Sequence, residues 1–114
     1  MSLVTEQHVF LQDFANLILF AIDSGYQVTA GELLRTQEQQ AIYLKQKKSK
    51  TMDSLHLKKL AGDLSFFKKG IWLNGQKDAI EQIRPLGEYW KSLSPNNVWG
   101  GDWGWDVDHF ERRI

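Results

Sequence analysis

The chain has no cysteine among its 114 residues. That excludes a disulfide framework and any thiolate metal site, so a bound metal must take its ligands from histidine and carboxylate. Histidine is itself scarce, with only His8, His56 and His109. An excess of either charge is missing too. Lys+Arg and Asp+Glu number 14 each, for a formal net charge of zero. That argues against a nucleic-acid binder working by bulk electrostatics. The most apolar run, Phe14 to Ile22, is interrupted by Asn16 and falls far short of the ~20 residues that span a bilayer. No stable membrane insertion is expected. The opening Met-Ser-Leu-Val-Thr-Glu-Gln-His lacks the basic start and small-residue cleavage site of a signal peptide. Synthesis in the cytoplasm is expected, and action beyond the membrane would need a separate means of release.

What is present fits one domain over residues 1–114, with a hydrophobic fraction of 42% and a charged fraction of 25%, both ordinary for a globular chain. Val9, Phe10, Phe14, Leu17, Ile18 and Ala21 recur at helical spacing and predict an amphipathic helix over 4–23. Asp23-Ser24-Gly25 stops it, with Gly25 suited to a left-handed cap. Tyr26 to Leu34 reads as a strand or extended segment. Thr36, with Gln39 three residues on, can cap a second helix running through Ala41 to Leu44. Lys45 to Asp53 is lysine-rich and reads as a solvated loop, or alternatively as the rim of a substrate groove. Leu60 to Phe67 predicts a central strand. Phe67-Lys68-Lys69-Gly70-Ile71 predicts a hairpin turn, with Ile71 to Leu73 returning. A third helix is expected over 76–92, with Ala79, Ile83, Leu86, Tyr89 and Trp90 on one face and a bend or break at Pro85. Ser94 to Asn97 reads as a turn, Trp99 to Gly104 as a glycine-rich aromatic loop, and Asp106 to Ile114 as the last strand. Helices mixed with a small antiparallel sheet place the fold in the α+β class.

The stretch Ser54 to Leu64 carries His56 and Asp63 seven residues apart. Asp63 stands in an otherwise apolar strand, where a lone carboxylate is costly without a cation or a strong hydrogen-bond partner. A divalent metal would satisfy it, and so would a salt bridge. His8, beside Val9 and Phe10 in the first helix, reads as an ordinary surface residue. His109 is flanked by Asp106 and Asp108. If Val107 to Phe110 is extended, His109 shares a face with Val107, and the two aspartates share the other face. Spacing leaves either aspartate open as a base for a metal-activated water.

The order Ser-x-His, seven residues to Asp, then Asp-x-x-His near the C-terminus resembles the D-alanyl-D-alanine carboxypeptidase group of zinc peptidases. That group includes the VanX- and VanY-type enzymes and small phage L-alanyl-D-glutamate endolysins. It belongs to the wider lysostaphin, DD-peptidase and sonic hedgehog set. The resemblance runs from Gly31-Glu32-Leu33-Leu34-Arg35-Thr36, through Ser54 to Leu64, to Trp99-Gly100-Gly101-Asp102 and Asp106 to Glu111. It implies zinc held by His56, Asp63 and His109, with Asp106 rather than Asp108 as general base. Arg35 would stabilise the oxyanion or hold the scissile carbonyl, and Ser54 would contact substrate. Trp103 and Trp99 would form a groove wall, with core packing as the other reading of both.

The chain departs from the family pattern at Lys59, which stands where the family has glycine, so a different local backbone is expected there. The Asp base leans toward the endolysin branch, as does Arg84-Pro85-Leu86-Gly87-Glu88-Tyr89-Trp90 ahead of Trp-Gly-Gly. The implied function is zinc-dependent hydrolysis of peptidoglycan stem peptides in the periplasmic cell wall, by a monomer of phage or prophage origin. The competing readings are a non-catalytic zinc-containing binding module of the same fold, and an interaction domain using its five tryptophans.

Overall fold

The computed structural model describes residues 2–33, 42, 45–46 and 58–114. Helix α1 spans Leu3–Asp23 and begins where the Ser2 hydroxyl accepts the Thr5 amide at 3.2 Å. It ends at Gly25, whose φ of 93° is the left-handed cap expected there. Strand β1 follows at Gln27–Ala30, β2 at Ala61–Lys68 and β3 at Ile71–Trp72. Helix α2 covers Ala79–Leu93, and β4 covers Asn97–Trp99. A 3-10 turn at Gly100–Trp103 leads on to β5 at His109–Arg112. Of the predicted second helix, only Ile42 lies within the described residues, and it is helical. Of the lysine-rich stretch, only residues 45–46 are described: Lys45 is helical rather than loop, and the Gln46 amide donates to the Ile42 carbonyl.

The antiparallel sheet runs in the order β1-β2-β5-β4, with β3 also pairing with β2. The hairpin between β2 and β3 turns on Lys69 and Gly70, both at positive φ (52° and 76°). Two left-handed residues match the twist of the flanking strands, so this short connection is favoured. Helix α2 passes through Pro85 without interruption. Its buried residues Ala79, Ile83, Leu86 and Trp90 lie on the face that the sequence marked as apolar.

Alternation along the strands separates two jobs. Leu64, Phe66 and Phe110 point into the core formed with Phe10, Phe14 and Leu17 of α1 and Ile83, Leu86 and Trp90 of α2. Asp63 of β2 stands opposite His109 of β5 on the other face. Gly62 lets helix and sheet approach closely, since a Cβ there would lie 2.7 Å from the Phe14 ring. Buried polar contacts fix β5 and β4 to the helices. Arg112 Nε donates to Glu6 Oε2 of α1 at 2.6 Å, and both side chains are buried. The Asn97 amide donates to Asp13 Oδ2 at 3.1 Å and to the Trp90 carbonyl at 3.0 Å.

The last strand starts later than the sequence implied. Residues 105–109 form a tight turn, with the Val107 amide donating to the Trp105 carbonyl and the His109 amide to the Asp106 carbonyl. Simple alternation therefore does not govern Asp106, Val107 and Asp108, and Val107 is buried in the core. Lys59 is the second difference. It holds φ at 59°, so a lysine makes the left-handed turn that glycine would favour, and the turn is kept rather than lost.

Candidate active site on the open face of the sheet

The site begins with backbone geometry. The Asp63 amide donates to the Glu32 carbonyl, and the Asp63 carbonyl accepts from the Gly31 amide, so both polar groups of its backbone are used on the β1 side. Towards β5, Asp63 and His109 therefore form a non-hydrogen-bonded pair, the kind in which opposing side chains come closest. The Asp63 Oδ1 lies 3.2 Å from His109 Nδ1. Gly100 lets the Trp99–Gly104 loop close on this point, because a Cβ there would meet His109 Cβ at 3.0 Å and Asp106 Cβ at 2.9 Å.

His109 is held on its other nitrogen as well. Its Nε2 is 2.8 Å from Glu111 Oε1, and the second Glu111 oxygen accepts from Arg113 Nε at 2.6 Å. The Trp103 ring lies 5.5 Å from the imidazole and 6.3 Å from the exposed Trp105 ring. Burial alone would lower the His109 pKa. Hydrogen bonds to Asp63 and Glu111, with the negative charges of Asp63 and Asp106, outweigh it and raise the group to about 9. Asp106 is pushed up to about 7, first by burial, then by a hydrogen bond to Asp108 and by the charges of Asp108 and Asp63, against the opposing pull of His109. Burial would raise Glu111 too, but the hydrogen bonds and charges of His109 and Arg113 outweigh it and leave its pKa lowered.

The structure thus brings together Asp63, His109 and Asp106 from the residues named in the sequence. His56, Arg35 and Ser54 lie outside the described residues. His8 is exposed on α1, as a surface residue. Trp103 is 41% exposed and stands at the rim beside His109, whereas Trp99 is fully buried. The Trp99 indole donates to the Val107 carbonyl at 2.9 Å. Of the two readings for Trp99, core packing is the one the structure supports, and it does not wall a groove. In the sequence, Glu111 carries no role of its own beyond closing the stretch Asp106 to Glu111 that bears the resemblance. Its signal was there in the period of a strand, two residues from His109 and hence on the same face.

Of the three residues the resemblance implies as metal ligands, Asp63 and His109 are described and lie side by side, and the described residues on their own contain no cluster of three. Their spacing fits zinc. Tetrahedral bonds of about 2 Å set neighbouring ligand atoms roughly 3.3 Å apart, close to the 3.2 Å between Asp63 Oδ1 and His109 Nδ1. The donors, one carboxylate oxygen and one imidazole nitrogen, are of the types zinc takes in catalytic sites. The two atoms are joined by a hydrogen bond.

An antiparallel sheet with helices beneath it and a carboxylate–imidazole centre above it defines the class as an α+β protein with a partly buried ionisable centre on the open face of its sheet. The family follows from sequence. A model of the D-alanyl-D-alanine carboxypeptidase peptidases matches residues 47–112, more than half of the chain, and the chain belongs to that family. Its fold is similar to that in the crystal structure of the L-Ala D-Glu endopeptidase ChiX of Serratia marcescens. The TM-score is 0.68 at 22% identity, over 90% of this chain and 79% of that one. No curated protein sequence matches the chain significantly. Among the described residues, no helix is long and apolar enough to cross a membrane.

Proposed function

We propose that this chain is a zinc-dependent peptidase that hydrolyses peptide bonds in the stem peptides of bacterial peptidoglycan. The bond is of the L-alanyl-D-glutamate or D-alanyl-D-alanine type, and the role is that of a phage or prophage endolysin. The observation that carries this reading is the meeting of Asp63 and His109 across β2 and β5 with the Asp106 carboxyl beside them. Family membership supplies the peptidase chemistry, and the structural neighbour, itself an L-Ala D-Glu endopeptidase, supports the first bond type.

Asp63 and His109, with His56 completing the set, would hold the metal. Bound zinc supplies a Lewis acid for the scissile carbonyl and a water acidified to a pKa of about 7. Asp106 does the proton work. Its carboxyl accepts the proton of the attacking water and returns it to the departing amine nitrogen, as a general base and then a general acid. A group held near neutrality by burial and neighbouring carboxylates suits both roles. Arg35 would place positive charge where the oxyanion develops. Trp103 offers a flat apolar wall to the peptide beside the reacting bond.

The test is release of free amines from purified peptidoglycan. The zinc-loaded protein should release them, a chelator should stop the release, and added zinc should restore it. Stoichiometric zinc with no release would favour the binding module of the same fold.

A further inference from the structure

His109 has two ring nitrogens, and only one of them can serve a metal shared with Asp63. The structure shows how that choice is made. The Nδ1 faces Asp63 at 3.2 Å, and the Nε2 faces Glu111 at 2.8 Å on the same side of the same strand. The His109 and Glu111 side chains are 10% and 7% exposed, so water does not compete well for either contact. The Glu111 carboxylate is held in turn. Arg113 Nε donates to its second oxygen at 2.6 Å, and the Arg113 guanidinium sits 6.0 Å from the centre of the Trp103 ring. That ring packs 5.5 Å from the imidazole, which closes a circuit through His109, Glu111, Arg113 and Trp103.

We propose that Glu111, braced by Arg113, is a positioning residue that holds His109 with a proton on Nε2 and its Nδ1 directed at the metal. The inference rests on the zinc reading above and adds a residue to it. Both ring nitrogens face carboxylates, which only accept, so each carries a hydrogen until a metal takes the place of one of them. When the metal displaces the Nδ1 proton beside Asp63, the Glu111 contact keeps the other proton on Nε2, and Nδ1 is the nitrogen that ligates. Ligating histidines commonly gain orientation and basicity from a carboxylate on the second nitrogen, and loss of such a partner weakens metal binding about 10- to 100-fold. Rotation of the ring would break the Glu111 contact and turn Nδ1 away from Asp63, so one hydrogen bond sets both the tautomer and the direction of the donor.

The experiment is a zinc competition titration with a chromophoric chelator on the intact chain, combined with 15N NMR of the histidine rings in the zinc-loaded protein. Wild type should bind one zinc, with His109 showing a metal-bound Nδ1 and a protonated, slowly exchanging Nε2. Glu111→Ala should bind zinc about 10- to 100-fold more weakly and lose the slow exchange at Nε2. Glu111→Gln keeps the shape and removes the charge, and it decides the matter if the alanine variant does not fold. It too should weaken zinc binding and speed Nε2 exchange. Arg113→Ala, at an exposed position, should shift both readouts in the same direction by less. Unchanged zinc affinity and an unchanged His109 signature in a folded Glu111 variant would overturn the positioning role and leave the zinc reading intact. Wild type that binds no zinc would instead overturn the zinc reading itself.

Discussion

Asp63 and His109 lie 46 positions apart in sequence, yet the Asp63 carboxylate stands 3.2 Å from the His109 Nδ1 because β2 and β5 pair in this register. A slip of one residue in either strand would send one of the two side chains to the core face. The site is thus a consequence of strand register.

Asp106 and Asp108 can be separated by amide substitution. Asp106→Asn should lower peptidoglycan hydrolysis by at least about 100-fold, the usual scale for a lost general base, with zinc still bound. Asp108→Asn should retain most activity. Assaying both variants at equal zinc occupancy checks the assignment, and full activity in Asp106→Asn would move the role to Asp108.

The metal-free protein should lose stability as pH rises. His109 is raised from 6.5 to about 9 in the folded state. Its contribution is fully present below pH 6.5 and is lost as pH climbs through about 9, on the order of 3 kcal/mol in all. Asp106, raised from 3.8 to about 7, acts with the same sign over the lower part of the range. Zinc should reverse the trend, because metal displaces the proton from the imidazole and binds more tightly at higher pH. Urea unfolding at pH 6 and pH 9, with and without zinc, reads both effects.

Much of this fold was legible in the sequence. Apolar spacing marked α1 and α2, and the Lys69-Gly70 turn marked the β2–β3 hairpin. Asp63 stood out because a carboxylate in an apolar strand needs a partner. The turn at 105–109 was not legible, since it depends on backbone hydrogen bonds that leave no pattern in side-chain type. The pairing of Glu6 with Arg112 was equally hidden, being a contact over 106 positions that only the docking of α1 onto β5 creates. Trp99 could not be assigned to core or groove because composition does not reveal which glycines make room for an indole. Gly87 and Gly101 do so here, each lying where a Cβ would collide with the Trp99 rings.

The two tryptophans should behave oppositely. Trp99→Ala empties a fully buried site and should cost about 3–5 kcal/mol, seen as a lower unfolding midpoint. Trp103→Ala should leave stability within about 0.5 kcal/mol, as is usual at exposed positions, and raise KM for peptidoglycan fragments more than it lowers kcat.

Lys59 offers a test of backbone strain. A non-glycine residue in the left-handed region costs roughly 1–2 kcal/mol, and glycine returns about 0.5–1 kcal/mol of that through its freer unfolded chain. Lys59→Gly should therefore stabilise the protein by about 0.5 kcal/mol. Lys59→Val, with a branched Cβ at φ 59°, should destabilise it. Chemical denaturation of the three proteins orders them.

The buried Arg112–Glu6 pair joins the last strand to the first helix. Arg112→Ala would leave the Glu6 carboxylate buried without its cation and should cost about 3–5 kcal/mol. Replacing both residues by leucine or methionine should recover most of that loss. Thermal unfolding of the single and double variants makes the comparison.

Mass spectrometry of muropeptides after digestion of purified peptidoglycan tests the central claim most directly. The zinc-loaded protein should yield fragments cut within the stem peptide, at the L-alanyl-D-glutamate bond or at a D-alanyl linkage, and Asp106→Asn should yield none. Muropeptides left intact by a protein that holds stoichiometric zinc would contradict the account.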